Sequence, residues 1–174
     1  AHRVEPPTVA AIIRSLGRAG SKTNPRICAA KITYAKSPIM RKSPYAGMMF
    51  NGAGRPLPAQ KWATTLPASM GGNKTPIVDE AEIFEGMPSF VEEYHRHLMK
   101  GGEPRRGYAP ELRRLTVDEC LALQTFPAHY RLAGSRSAQY RQIGNAVPPM
   151  LAEAVARVVS RLLEGGATMR VAAE

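Results

Sequence analysis

Cysteine is scarce in this 174-residue chain: Cys28 and Cys120 are the only two, they lie far apart, and no metal-ligand spacing accompanies them. That leaves no basis for a disulfide framework or a zinc site, and reduced thiols in a cytoplasmic protein are expected. Long apolar runs are missing too. None reaches the roughly 18 residues of a spanning helix, so no membrane partner is expected. The opening Ala1-His-Arg-Val-Glu5 has no apolar signal core. A first residue that is Ala rather than Met points to processing or trimming. Acidic residues are in deficit, with 14 Asp and Glu against 24 Lys and Arg, a net charge of +10. Such an excess suits a polyanion, and nucleic acid is the first candidate. A merely soluble basic protein shows the same balance.

What is present divides into a loop-rich first part and a more helical second part. Thr8 can cap a short helix over the apolar residues that follow, ended by Gly17 and Gly20. Between Asn24 and Pro88, Pro and Gly recur too often for long helices. Runs such as Arg26 to Cys28 and Lys31 to Tyr34 predict short strands between turns. Pro88 to Lys100 predicts a helix with Phe90, Tyr94 and Met99 on one side, stopped by Gly101-Gly102. His95 and His97 lie two residues apart on it and point away from each other, a poor metal site. Thr116-Val-Asp-Glu119 is a capping box, with Leu115 and Cys120 at its staple positions, and predicts a helix to about Thr125. Pro148 and Pro149 suit the entrance of a last helix. There Met150, Leu151, Ala154, Val155, Val158, Val159, Leu162 and Leu163 form one apolar stripe, with a stop expected at Gly165-Gly166.

Three stretches carry more than secondary structure. They are Gln139-Tyr-Arg-Gln-Ile-Gly-Asn-Ala-Val-Pro-Pro149, Arg114-Leu-Thr-Val-Asp-Glu-Cys-Leu-Ala-Leu-Gln-Thr-Phe-Pro127 and Thr64-Thr-Leu-Pro-Ala-Ser-Met-Gly-Gly-Asn73. In that content and order they resemble the last two sequence blocks and the target recognition domain of the DNA (cytosine-5)-methyltransferases. The resemblance covers about Pro44 to Gly165 and is strongest from Arg114 to Pro149. It implies an α+β chain: a small loop-rich recognition domain with short strands over residues 1–113, then C-terminal helices over 114–174. Those helices would return to an α/β Rossmann-like methyltransferase domain not contained here, or to a companion subunit. The stripe of the last helix is too apolar to leave in water and fits such a partner surface.

The resemblance also assigns residues. Asn145, Ala146 and Gly144 are expected at the edge of the S-adenosylmethionine pocket. There the Asn145 amide can reach the amino-acid end of the cofactor, and Gly144 permits a close backbone approach. A capped turn that launches the last helix explains the same residues without a ligand. Double-stranded DNA is expected at two loops. In the first, Asn51-Gly-Ala-Gly-Arg55, the guanidinium of Arg55 can take both major-groove acceptors of guanine. In the second, Thr64, Thr65 and Leu66 lead in and Thr65 can hold a phosphate, while Gly71 and Gly72 admit the main chain to the groove. Ser69, Asn73 and Lys74 add polar contacts. Arg113 and Arg114 are expected to link the blocks and brace the recognition domain. Arg131, Arg136 and Arg141 can add phosphate attraction.

Cytosine attacked at carbon 6 becomes nucleophilic at carbon 5 and takes a methyl group from S-adenosylmethionine, which requires a thiolate. The base must first be flipped out of the stack, at a cost of a few kcal/mol. In the family the thiolate stands in a Pro-Cys pair, whereas Cys28 follows Ile27 and Cys120 follows Glu119. The family's Glu-Asn-Val triplet and Phe-x-Gly-x-Gly loop are absent as well. No catalytic residue is therefore expected in this chain, and no activity from it alone. It fits either a subunit of a split enzyme or a part of one long enzyme, within a family whose commonest setting is bacterial restriction-modification. A stand-alone DNA-binding module without catalysis is the alternative, and it leaves Asn145 and the apolar last helix without a purpose.

Overall fold

The computed structural model describes residues 5–171, with side chains as far as 164. The described chain opens on α1 (Val9–Leu16), where the Thr8 hydroxyl accepts from the amide of Ala11 and Gly17 turns the chain at φ +85°. Two small antiparallel sheets follow. In one, β1 (Tyr34–Ile39) pairs with β2 (Met48–Phe50); in the other, β3 (Ile77–Asp79) pairs with β4 (Leu112–Arg114). Pro38 lies within β1, where only an edge strand accommodates the missing amide, and the register is irregular between Tyr34 and Ile39.

Successive strand side chains point to opposite faces, and β3 uses this to divide two cores. Ile77 joins a cluster with Ile32, Phe50, Val91 and Tyr94; Val78 joins one with Ile13, Leu66, Leu115, Cys120, Tyr140 and Ile143. The first cluster is aromatic, with Tyr34 and Tyr94 edge to face at 5.0 Å. Asp79 then starts two helices at once. One carboxylate oxygen accepts from the amide of Glu82 in α2 (Glu80–Glu85), the other from Phe90 at the head of α3 (Phe90–Met99).

The remaining helices are α4 (Val117–Leu123), α5 (Arg136–Asn145) and α6 (Pro149–Val171). The capping box on α4 forms as expected, and Leu115 and Cys120 are wholly buried beside it. Helices α4 and α5 pack in the same cluster as α1 and the loop residues Leu57 and Leu66, so packing is continuous across residue 113, which lies inside β4.

Several expectations are corrected. Arg26 to Cys28 forms no strand, and pairing of the next run begins with a single bridge at Thr33 before β1 proper. Helices α2 and α5 were not expected. The first is only six residues long and fits between turns. The second buries just Tyr140 and Ile143, too sparse a stripe to stand out. On α3 the inward face is Val91 and Tyr94 with the partly buried Phe90 and Leu98, as expected for Phe90 and Tyr94, whereas Met99 is 58% exposed. Finally, α6 does not stop at Gly165-Gly166 but continues to Val171.

Candidate nucleic-acid interface

Residues 51–55 leave β2 with two glycines, and both are required by space. A Cβ on Gly52 would lie 2.2 Å from the carbonyl oxygen of Asn73; one on Gly54 would lie 1.9 Å from that of Thr75 and 2.7 Å from a guanidinium nitrogen of Arg114. The Gly54 amide donates to the Asn73 carbonyl at 3.1 Å. The two loops singled out from sequence therefore lie against each other, 51–54 on 72–75.

Arg114 holds them together from β4. Only 1% exposed, its guanidinium donates to the Thr75 carbonyl at 2.7 Å and to the Asn51 carbonyl at 2.9 Å. Burial pushes the group below its ordinary pKa, but an arginine so placed stays charged. Arg113 is tied differently. Its two terminal nitrogens donate to both oxygens of Glu119 at 2.8 Å, and its Nε faces Glu80 at 3.3 Å. Burial alone lowers the Arg113 guanidinium, yet Glu119 and Glu80 outweigh it and hold it above its ordinary value. The bracing expected of this arginine pair is thus present, with Arg114 acting on the loops and Arg113 on α2 and α4.

On the paired loops, Thr64, Thr65, Ser69, Gly72, Asn73 and Lys74 are exposed, and Gly71 is half-buried at φ +133°. Leu66, expected among the DNA contacts, is instead 5% exposed in the core, where its side chain anchors the loop. Arg55 is half-buried and folds back, donating to the Ala53 carbonyl at 2.9 Å. It would have to swing off that carbonyl to reach a base.

The second loop rests on α5. A Cβ on Gly144 would stand 2.3 Å from the Pro67 carbonyl oxygen and 2.9 Å from the Ala68 Cα, and Leu66 and Met70 share a cluster with Tyr140 and Ile143. Tyr140 pins the helix from below by donating to the Leu115 carbonyl at 2.6 Å. The chain that Gly144 admits is the second loop. Asn145, at the helix end, is exposed; its amide nitrogen donates to the Arg141 carbonyl at 2.9 Å. Ala146 caps the helix in extended conformation. The whole arrangement brings Gly144, Asn145 and the loop 64–74 to one place.

Sequence reasoning had no sign of Asn24. It is wholly buried and donates to Glu119, linking the turn after α1 to α4 across 95 residues. Among the other candidates, Arg131 bonds only carbonyls of its own turn, while Arg136 and Arg141 are exposed. His95 and His97 bond the carbonyls of Arg41 and Glu103 on separate turns. Among the described residues no cluster of His, Cys, Asp and Glu could hold a metal, and no helix is long and apolar enough to cross a membrane. Cys120 has no exposure, and burial beside Glu119 pushes its thiol well up, which closes it to nucleophilic chemistry.

Residues 15–161 match the family model for C-5 cytosine-specific DNA methylases. Among curated proteins, the type II methyltransferase M.AplI of Arthrospira platensis is 56% identical over 52 residues, 30% of this chain and 15% of that protein. M.AgeI of Thalassovita gelatinovora is 31% identical over 134 residues, 64% of this chain and 30% of that protein. M.AquIB of a Picosynechococcus is 47% identical over 64 residues, 30% of this chain and 46% of that protein. The chain thus spans between 15% and 46% of the length of these relatives. No solved structure matches it.

Proposed function

The chain belongs to the C-5 cytosine-specific DNA methylase family, and from that premise we propose that it reads duplex DNA and closes one edge of the cofactor pocket in a cytosine-5 methyltransferase. The observation that carries this reading is the seating of the exposed loop 64–74 on the end of α5, which sets a DNA-facing loop beside Asn145. The relatives named type II methyltransferases support a restriction-modification setting for such an enzyme.

S-adenosylmethionine, when bound, supplies the methyl group. The residues present fit its amino-acid end: Asn145 is exposed, and with one amide N–H engaged by Arg141 it keeps an oxygen acceptor and a second N–H donor. Ala146 adds an extended backbone next to it. Gly144 fixes where that amide stands relative to the second loop. On the DNA side, Thr65 and Lys74 engage backbone phosphates. Ser69 and Asn73 offer polar groups to base edges, and Gly71-Gly72 let the main chain approach the gap left by a flipped cytosine. Arg114 keeps the two loops in register while they do so.

The thiolate comes from outside these 174 residues, because neither cysteine stands in a Pro-Cys pair and Cys120 is sealed in the core. A catalytic region, continuous with this chain or on a companion polypeptide, covers the apolar face of α6. The match to M.AquIB makes up nearly half of that relative, so short polypeptides of this type occur in the family.

Complementation tests the reading. This chain is combined with a polypeptide carrying the Pro-Cys block, and transfer of labelled methyl from S-adenosylmethionine to duplex DNA is measured. Transfer should require both chains, and Asn145→Ala should raise the KM for S-adenosylmethionine about tenfold, the loss of one hydrogen bond to a charged group. Transfer by the catalytic polypeptide alone at the same rate and site preference would refute the proposal.

A further inference from the structure

Beside the two loops lies a cavity of about 710 Å³ that the family blocks do not reach, lined by Thr33, Tyr34, Lys36, Glu103, Arg105 and Arg106 among others. Its walls are stitched by backbone. Tyr34 donates to the Gly107 carbonyl at 3.1 Å, Ala109 to that of Ile32 at 3.0 Å, and Thr33 bridges Tyr108. Arg105 is held in place, its guanidinium over the rings of Phe90 and Tyr94 at 5.4 and 5.8 Å and its amide donating to the Tyr94 hydroxyl.

The charge of this cavity has no internal answer. Among the described residues no carboxylate lies within ion-pair distance of Lys36, Arg105 or Arg106. Glu103 is the single acid in the lining, so three cations face one anion. A concave wall of net positive charge focuses its field and attracts a mobile anion. The cavity also adjoins the first loop directly. Thr33 donates to the side-chain oxygen of Asn51 at 3.0 Å, and Asn51 donates back to the Thr33 carbonyl at 2.9 Å. Residues 51–55, the first loop expected to meet bases, therefore begin at the wall of this cavity.

We propose that this cavity seats a backbone phosphate of the duplex outside the bases read by the two loops, lengthening the footprint on one side. Lys36 and Arg106 neutralise the diester, and Arg105, fixed on its aromatic platform, sets its position. The inference rests on the DNA-reading role proposed above. It adds an anchor indifferent to sequence, since phosphates carry no base information.

The test uses the complete methyltransferase containing this chain and two duplexes, one trimmed to the recognition site and one extended by a helical turn on each side. The unaltered enzyme should bind the long duplex more tightly and with a steeper dependence on salt. Lys36→Ala with Arg106→Ala should weaken the long duplex about tenfold at moderate salt and flatten its log–log salt slope by about 1, the loss of one phosphate contact, whatever the flanking sequence. The short duplex should be unaffected, and the charge-keeping pair Lys36→Arg with Arg106→Lys should bind as the unaltered enzyme does. Equal slopes for the two duplexes with the unaltered enzyme would overturn the inference alone, without any variant. So would an equal loss on both duplexes, or a loss confined to one flanking sequence. Failure of the unaltered enzyme to bind either duplex would instead remove the DNA-reading role, and this inference with it.

Discussion

Glu119 shows no surface to solvent, and its two oxygens accept from Arg113 twice, from Asn24 and from the Thr116 amide. A buried ion pair contributes little net stability while whole but costs about 3–5 kcal/mol to break on one side, because the other charge is left uncompensated. Glu119→Gln should therefore lower unfolding stability by about that amount in a denaturant titration. A loss under about 1 kcal/mol would show that water reaches Arg113. Glu82 behaves in the opposite sense. Burial, with Asp79 and Glu92 nearby, raises its pKa above the ordinary 4.5, and a hydrogen bond to Ser89 only partly offsets this. The folded state then holds a proton that the unfolded chain has released. Glu82's contribution is fully present below 4.5, falls as pH rises toward its raised folded value, and levels off above it. Glu82→Gln should remove that fall, so its stability gain over the unaltered protein grows across this window; a constant difference from pH 4 to 7 would contradict it. Arg55→Ala should cost about 1–3 kcal/mol of DNA affinity at one base position. A uniform loss across sequences would make Arg55 a phosphate contact instead.

Helix α5 shows how an element can be well formed and still serve mainly as a seat. Gly144 lies in its last turn without positive φ, so Ala there favours the helix by up to about 1 kcal/mol. The added Cβ, however, meets the Pro67 carbonyl oxygen at 2.3 Å, and that is backbone, not a flexible side-chain tip. Overpacking of this kind costs about 1–3 kcal/mol, so Gly144→Ala should be net destabilising or neutral and should lift the loop 64–74 off its support. Weaker DNA binding, with unfolding shifted by no more than about 2 kcal/mol, is the expected pairing; tighter packing with unchanged DNA affinity would show that the loop does not depend on α5. What was legible in the sequence follows the same division between local and distant causes. The caps at Thr8 and Thr116 sit within four residues of their partners, and both formed as the residue types predict. Gly144 announced a close approach, but not which chain would approach, and the tight contacts at Gly52 and Gly54 came from the fold alone. Asn24 meeting Glu119 and Arg114 meeting Asn51 are made by the tertiary fold across long stretches of chain, and no spacing encodes them. Helix α5 itself was hidden because two buried residues in ten set up no readable stripe.

At the scale of the molecule, α6 has no role in the cores that hold the rest. Every residue from Met150 to Glu164 is exposed, and the apolar stripe from Met150 to Leu163 stands between 48% and 70% exposed. The helix is held at its start, where the Met150 amide donates to the Thr125 hydroxyl at 3.2 Å. Thr125 itself takes the left-handed conformation, φ +62°, as α4 ends. A continuous exposed apolar face of this length fits an interaction site. On the proposed role that partner is the catalytic region, and the interaction should be separable from DNA reading because α6 shares no side-chain cluster with the two loops. Val158→Asp with Leu162→Asp removes two apolar anchors and places charge in the contact. Full burial of such a side chain is worth about 1.5–3 kcal/mol, so the pair should weaken assembly by at least about 100-fold. Complementation assays should then lose methyl transfer at protein concentrations that sustain the unaltered pair and regain it as the catalytic polypeptide is raised. Thermal unfolding of the cores should be unchanged, because neither residue lies in them. Full activity from the doubly substituted chain at limiting partner would mean that the catalytic region is held by another surface, with α6 free for a different contact.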